Sequence, residues 1–125
     1  DRCLHRDISD RRALRSDRPD DTLRRIGTAF TLDPAPCNQT MTVDIESRDD
    51  TPYRIALYFI DWERDGRRSA VEVFDLENKE LLMPVQIVDR YGEGKYLVFE
   101  ADRSVRLRIG QVRGTNASLG ALFFD

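Results

Sequence analysis

The sequence has little of what most enzyme chemistry needs. Its 125 residues include one histidine, His5, and two cysteines, Cys3 and Cys37. A single His near the N-terminal edge cannot readily assemble a Ser–His–Asp triad, and the nucleophile pattern GxSxG is missing. There is no glycine-rich phosphate loop. Without a CxxC, and with one His, the usual zinc motifs are excluded. No run approaches the roughly 18 apolar residues a membrane helix needs. Strong charge of one sign is also missing. A net charge of -3 gives no electrostatic reason to expect nucleic acid or an anionic membrane as partner. Lysine is scarce: of 20 basic residues only Lys79 and Lys95 are Lys, leaving 18 arginines. Two readings of that surplus stand. It reflects compositional bias, or some guanidinium forks recognise an acidic ligand.

What is present suits one compact domain. Hydrophobic residues make up 40% of the chain, with six Phe and four Tyr, enough for one core. The chain opens at Asp1 without Met or signal peptide, as expected of a domain processed or excised from a longer protein. Residues 1–25 carry eight Arg and six Asp with few apolar anchors. That composition predicts an irregular charged arm packed on the rest, with one helical turn near Ser9–Arg15. Residues 26–125 read as the body of the domain. A Cys3–Cys37 disulfide would clip the arm to that body, worth about 4 kcal/mol on loop entropy. Two free thiols are the other reading.

From Ile26 onward, short β-like runs alternate with turn residues. Strands are expected near Arg25–Thr31, Thr40–Glu46, Tyr53–Asp61, Ser69–Asp75, Leu81–Asp89, Lys95–Glu100, Val105–Gln111 and Ser118–Phe124. Pro84 marks the fifth as an edge or bulged strand. This spacing predicts an all-β fold, an antiparallel sandwich or barrel.

The run "YRIALYFIDWERDGRR" holds the only Trp, Trp62, against the densest charge in the chain. Alternation puts Tyr53, Ile55, Leu57 and Phe59 on one apolar face, expected to be core. Arg54, Ala56, Tyr58, Ile60 and Trp62 form a mixed face, expected to be partly covered. Asp65-Gly66 is a type I′ hairpin signal that would pair Ile60 with Val71 and Tyr58 with Val73. A wider loop starting at Asp61 is the competing reading. Either way Trp62 stands at the rim of the sheet.

An indole can stack on the C–H face of a sugar at low entropic cost. Asp61 and Glu63 can accept from hydroxyls, and Arg67 can donate to hydroxyls or carboxylates. Arg12 and Arg15 either reach into the same site or pair with Asp10 and Asp17. Tyr91 and Tyr96 flank Gly92-Glu-Gly94, which opens space for a ligand or makes a tight hairpin. Trp62 itself either faces a ligand or folds over its own hairpin. Asn116 either adopts a left-handed turn or offers its amide. The acids of Asp61–Asp65 and Arg48–Asp50 could supply oxygen to a structural calcium ion. No other cofactor is expected. Scattered carboxylates allow a glycosidase-like pair in principle, but nothing in the sequence sets two of them across a cleft.

Four stretches share a further pattern: "SDRRALR" (Ser9–Arg15), "APCNQTMTVDI" (Ala35–Ile45), "YRIALYFIDWERDGRRSAVEVFD" (Tyr53–Asp75) and "GTNASLGALFFD" (Gly114–Asp125). Together they resemble the β-sandwich modules of carbohydrate-binding type appended to bacterial glycoside hydrolases, including large α-L-rhamnosidase-like multidomain enzymes. Asp61, Trp62, Gly66 and Arg67 carry the resemblance in the third stretch. Gly120 and Phe123–Asp125 carry it in the closing one. The resemblance implies a jelly-roll sandwich, secreted or periplasmic in a bacterium and attached to a catalytic domain. The expected ligand is a polysaccharide or oligosaccharide, possible acidity following from the arginines, held by Trp62, Asp61, Glu63, Arg67, Arg12, Arg15 and Tyr91. The expected role is non-catalytic targeting. Its rival is a structural spacer or docking domain with no ligand of its own.

Overall fold

A computed structural model describes residues 40–114 and 117–125 in full, and the strand backbones of residues 2–8, 14–15 and 25–31. The described residues hold eleven strands and no helix: β1 (Arg2–Ile8), β2 (Leu14–Arg15), β3 (Arg25–Thr31), β4 (Thr40–Ile45), β5 (Tyr53–Phe59), β6 (Arg68–Asp75), β7 (Gln86–Val88), β8 (Lys95–Ala101), β9 (Val105–Arg113), β10 (Ser118–Leu119) and β11 (Ala121–Phe124).

All strand pairs are antiparallel. One sheet runs β4-β9-β6-β7 and another β11-β5-β8. In a third, β3 pairs with β1, β2 and β10. Gly120 alone separates β10 from β11, so the closing segment pairs first with β3 and then with β5.

The alternation expected for β5 holds only in its first part, because Tyr58 and Ile60 of the mixed face are buried as well and Tyr53 is only partly buried. Ile55, Leu57 and Phe59 are fully buried, and they meet Met41 and Ile45 of β4, Val71 and Val73 of β6, and Val105, Leu107 and Ile109 of β9 in one cluster. Every second residue of β6 is buried, from Ser69 to Asp75. Each such apolar side chain contributes about 1.5–3 kcal/mol relative to exposure. The two facing layers make the expected all-β sandwich.

Four expectations are corrected. The N-terminal segment is not wholly irregular: β1 and β2 both pair with β3. Charged composition misled here, because a strand takes much of its support from the backbone ladder and tolerates polar side chains on a wet face. Residues 9–13, where the helical turn was expected, lie outside the described residues, as do Arg12, Cys37 and Asn116. The side chains of Cys3 and Arg15 also lie outside them.

Second, β5 and β6 do not form a hairpin. β5 pairs with β8 and β11, whereas β6 pairs with β7 and β9. Gly66 has φ 74°, but Asp65 is not among the positive-φ residues, so the type I′ geometry is not met. The wider loop from Asp61 is the observed one. Third, the Leu81–Asp89 strand shrinks to β7, an edge strand, preceded by an isolated bridge between Phe74 and Leu81. Pro84 cannot donate to a ladder, which accounts for the gap. Fourth, the closing strand breaks at Gly120, whose N–H donates to the Tyr58 carbonyl at 2.8 Å.

Candidate functional site

The chain leaves β5 at Phe59 in one layer and enters β6 at Arg68 in the other. The crossing is closed on one side chain. Asp61 Oδ2 accepts the N–H groups of Gly66 at 2.8 Å and Arg67 at 3.1 Å, and Oδ1 accepts from Arg67 Nη1 at 2.6 Å. The Asp61 carbonyl accepts from Arg64 N–H at 3.1 Å. An aspartate suits this position because its short side chain can bond backbone a few residues ahead. Asp61 is 3% exposed and Arg67 7%. Arg67 Nη1 also donates to Glu63 Oε2 at 2.5 Å, and that carboxylate lies mostly in solvent.

Burial pushes the Asp61 carboxyl up. The backbone donors at Asp65 and Arg67, the Arg67 guanidinium and its charge outweigh burial and hold it below the ordinary carboxylate range. Burial likewise opposes the Arg67 charge, and Glu63 and Asp61 more than restore it.

The turn at Tyr91–Gly94 lies against this loop. The Tyr91 carbonyl accepts from both Asp61 N–H and Gly94 N–H, each at 3.1 Å. Arg64 Nη2 and Glu93 Oε1 pair at 2.7 Å across the two elements, and both side chains are exposed. Gly94 has φ 92°, and a Cβ there would collide with the Tyr58 hydroxyl. That close approach, together with the left-handed backbone, requires glycine. The Tyr58 ring packs against Tyr96 with centroids 4.8 Å apart.

The sequence candidates therefore divide. Trp62 is half-buried on the loop, and Glu63 is exposed beside it. Asp61 and Arg67 point inward and hold the loop together, contrary to the ligand-contact role expected of them. Tyr91 is corrected as well. It is 1% exposed, its ring packs on Phe59 with centroids 5.5 Å apart, and its hydroxyl bonds Ser69 Oγ at 3.0 Å. A ring inside the core cannot stack on a ligand. Burial raises the Tyr91 hydroxyl pKa, so it stays protonated.

Arg64 and Glu93 were missed. Nothing in the sequence brings them together, since the contact spans two turns 29 residues apart. Tyr91-Gly-Glu-Gly94 is a tight turn, but it joins strands of different sheets and is not a hairpin.

Among the described residues no group of three or more His, Cys, Asp or Glu side chains is placed to hold a metal ion. In the two loops expected to offer calcium ligands, Asp61 faces N–H donors as above and Asp49 Oδ1 accepts from Thr51 N–H at 2.9 Å. The loop carries an indole, carboxylates that can accept from hydroxyls, and guanidinium donors.

No family model and no curated protein matches the sequence. Solved structures do match. The module TmCBM61, in complex with β-1,4-galactotriose, aligns with a TM-score of 0.51 at 11% identity, over 97% of this chain and 87% of that one. A family 35 carbohydrate-binding module from Clostridium thermocellum aligns with a TM-score of 0.47 at 8% identity, over 98% and 90%. The enzymatically active domain of tailspike protein 4 from bacteriophage CBA120 aligns with a TM-score of 0.49 at 6% identity, over 98% of this chain and 19% of that one. The likeness to TmCBM61 is one of fold: an antiparallel jelly-roll sandwich.

Proposed function

We propose that the protein is a non-catalytic carbohydrate-binding module that tethers an attached glycoside hydrolase to a polysaccharide. The observation that carries this reading is a half-buried Trp62 on a loop locked from beneath by Asp61 and Arg67. A ring carried on a locked loop adds little backbone ordering cost on stacking against a sugar, so more of the contact energy appears as affinity. Glu63 and Arg64 follow it on the same loop and Glu93 pairs with Arg64, which supplies groups able to meet hydroxyls. The fold shared with TmCBM61, whose structure contains a galactotriose, supports a saccharide as the ligand class. Tethering raises the effective concentration of the catalytic partner without any new contact to it. A secreted or periplasmic bacterial setting accompanies that role. Affinity is weak, on the order of micromolar to millimolar, because open wet sites recover little after ordering costs.

The test uses the sole tryptophan as its own reporter. Neutral and acidic plant oligosaccharides, including β-1,4-galactotriose, are titrated while Trp62 emission and heat are followed. A ligand that shifts the emission of the parent and binds Trp62→Ala at least ten-fold more weakly supports the site. Silence across a broad panel, or a Trp62→Ala variant that binds like the parent, sinks it.

One observation favours a second reading, a docking or spacer domain. Leu81, Leu82, Val85 and Ile87 are all exposed around the edge strand β7, and clustered exposed apolar residues mark contact surfaces. Under that reading no glycan binds, and Leu82→Ser with Ile87→Ser loosens the module from its neighbouring domain.

A further inference from the structure

The sheet of β4, β9 and β6 presents an outer face with its own charges, none of them on the Trp62 loop. The outward residues of β4, β9 and β6 lie in register in three rows: Thr40–Gly110–Ala70, Thr42–Arg108–Glu72 and Asp44–Arg106–Phe74. Their inward neighbours Leu107 and Val73 belong to the core and Val43 packs against it, so these rows form the outer face of the sheet. A groove of about 420 Å³ runs over this face, lined by Thr40, Thr42, Phe74, Lys79, Arg106 and Arg108. That volume falls within the range of small-molecule sites, about 300–1,000 Å³.

The charges are unevenly spent. Arg106 is forked on Asp44, with Nε and Nη2 at 2.8 and 3.0 Å from the two carboxylate oxygens. Arg108 is not held this way. Its Nε stands 3.5 Å from Glu72 Oε1, beyond a good hydrogen bond, and its side chain is 52% exposed. Lys79, whose Nζ donates to the Leu76 carbonyl, adds a third cation at the same groove, close enough to favour the ionised form of Asp44. Three cations face two carboxylates, and the Arg108 fork is the most weakly engaged of them, paired only with Glu72 at 3.5 Å.

Gly110, paired with the lining residue Thr40 at the border of the groove, adds a second observation. A glycine inside a strand costs about 0.5–1 kcal/mol relative to alanine, and such a glycine often marks the close approach of another molecule. Its backbone does not require glycine, because Gly110 is not among the positive-φ residues. Packing does not require it either. An added Cβ would meet only Thr40 Oγ1 at 3.9 Å and the Ala70 carbonyl at 4.0 Å, both ordinary contacts. The bare row Thr40–Gly110–Ala70 keeps the surface beside the arginines low.

We infer that this groove is a second saccharide subsite, specific for a sugar unit bearing an anionic group. The anion accepts from the Arg108 fork, a ring hydroxyl bonds Thr42, and the sugar face rests on Phe74. The inference takes its ligand class from the carbohydrate reading and its site from a different face. Two sources share this chemistry, carboxylated and sulfated sugars.

The experiment titrates trigalacturonate, a sulfated galactotriose and neutral β-1,4-galactotriose into isotopically labelled protein, with backbone amide shifts as the readout. An anionic probe is expected to move the amides of Thr42, Phe74, Lys79, Arg106 and Arg108, and whichever of the two anions does so identifies the source. Its binding weakens several-fold between about 20 mM and about 200 mM salt, as exposed charges are screened. Arg108→Ala lowers its affinity about 5–10-fold, and Gly110→Val does so by filling the low row while keeping the fold. Trp62→Ala leaves these shifts in place. The inference is overturned if anions move only amides of residues 61–67 and 91–94, or if Arg108→Ala and Gly110→Val bind like the parent. A neutral sugar that binds at Trp62 while both anions stay silent overturns this inference alone. Silence from all three probes removes the carbohydrate reading with it.

Discussion

Asp61 and Arg67 meet at 2.6 Å, both almost out of solvent, and between them close the loop from β5 to β6. A buried pair of this kind is costly to break on one side, because the remaining charge is left without its partner. Asp61→Ala is therefore expected to lower stability by about 3 kcal/mol, read from chemical denaturation. Replacing both residues, as in Asp61→Asn with Arg67→Met, should cost less than the sum of the two single changes. An additive double-mutant cycle would show that the pair is not coupled.

The same carboxylate makes stability depend on pH. Its folded pKa lies below the ordinary value of 3.8. Its contribution is therefore fully present above about pH 4 and is lost as pH falls through the folded value. Asp75 acts in the same direction, held down by the N–H groups of Asn78 and Glu77 and by Arg103. The midpoint of thermal unfolding should be flat near neutrality and fall below about pH 4. The Asp61→Asn variant should start lower and fall less steeply. A parent midpoint unchanged down to about pH 2.5 would refute this.

Two glycines near the loop should respond differently to alanine. At Gly66 nothing stands within 4 Å of an added Cβ, so only the left-handed backbone resists, at about 1 kcal/mol. At Gly94 the same methyl also strikes the Tyr58 hydroxyl, and overpacking adds about 1–3 kcal/mol. Thermal melts of the two variants side by side check the order.

Tyr91→Phe tests whether that ring belongs to the core. It removes a buried hydroxyl bonded to Ser69 and should cost about 1 kcal/mol. Saccharide affinity should be unchanged. A loss of binding without a loss of stability would return Tyr91 to the ligand site.

Much of the fold was legible because burial follows backbone period. Ile55, Leu57 and Phe59 could be assigned to the core from alternation alone, and Pro84 marked an edge strand before any pairing was known. Partner choice was not legible. Asp65-Gly66 reads locally as a hairpin, yet no local signal says that β5 prefers β8 and β11 while β6 prefers β9. That preference comes from non-local pairing across the whole sandwich. The site divided for a related reason. Trp62, Glu63, Asp61 and Arg67 are neighbours in sequence, so composition could not tell which faced inward. Position relative to the two layers decides it, and the Arg64–Glu93 pair depends on a contact between turns that sequence spacing does not encode.

The crossing from β5 to β6 has a mechanical corollary. A strand-turn-strand finger pulled at its tip peels apart one rung at a time. Here the two ends of the loop are anchored in opposite layers, so under the proposed function the pull of a polymer held at Trp62 would divide between both sheets and shear them together. Anchorage to an insoluble substrate in moving fluid would favour that arrangement over a finger that unzips.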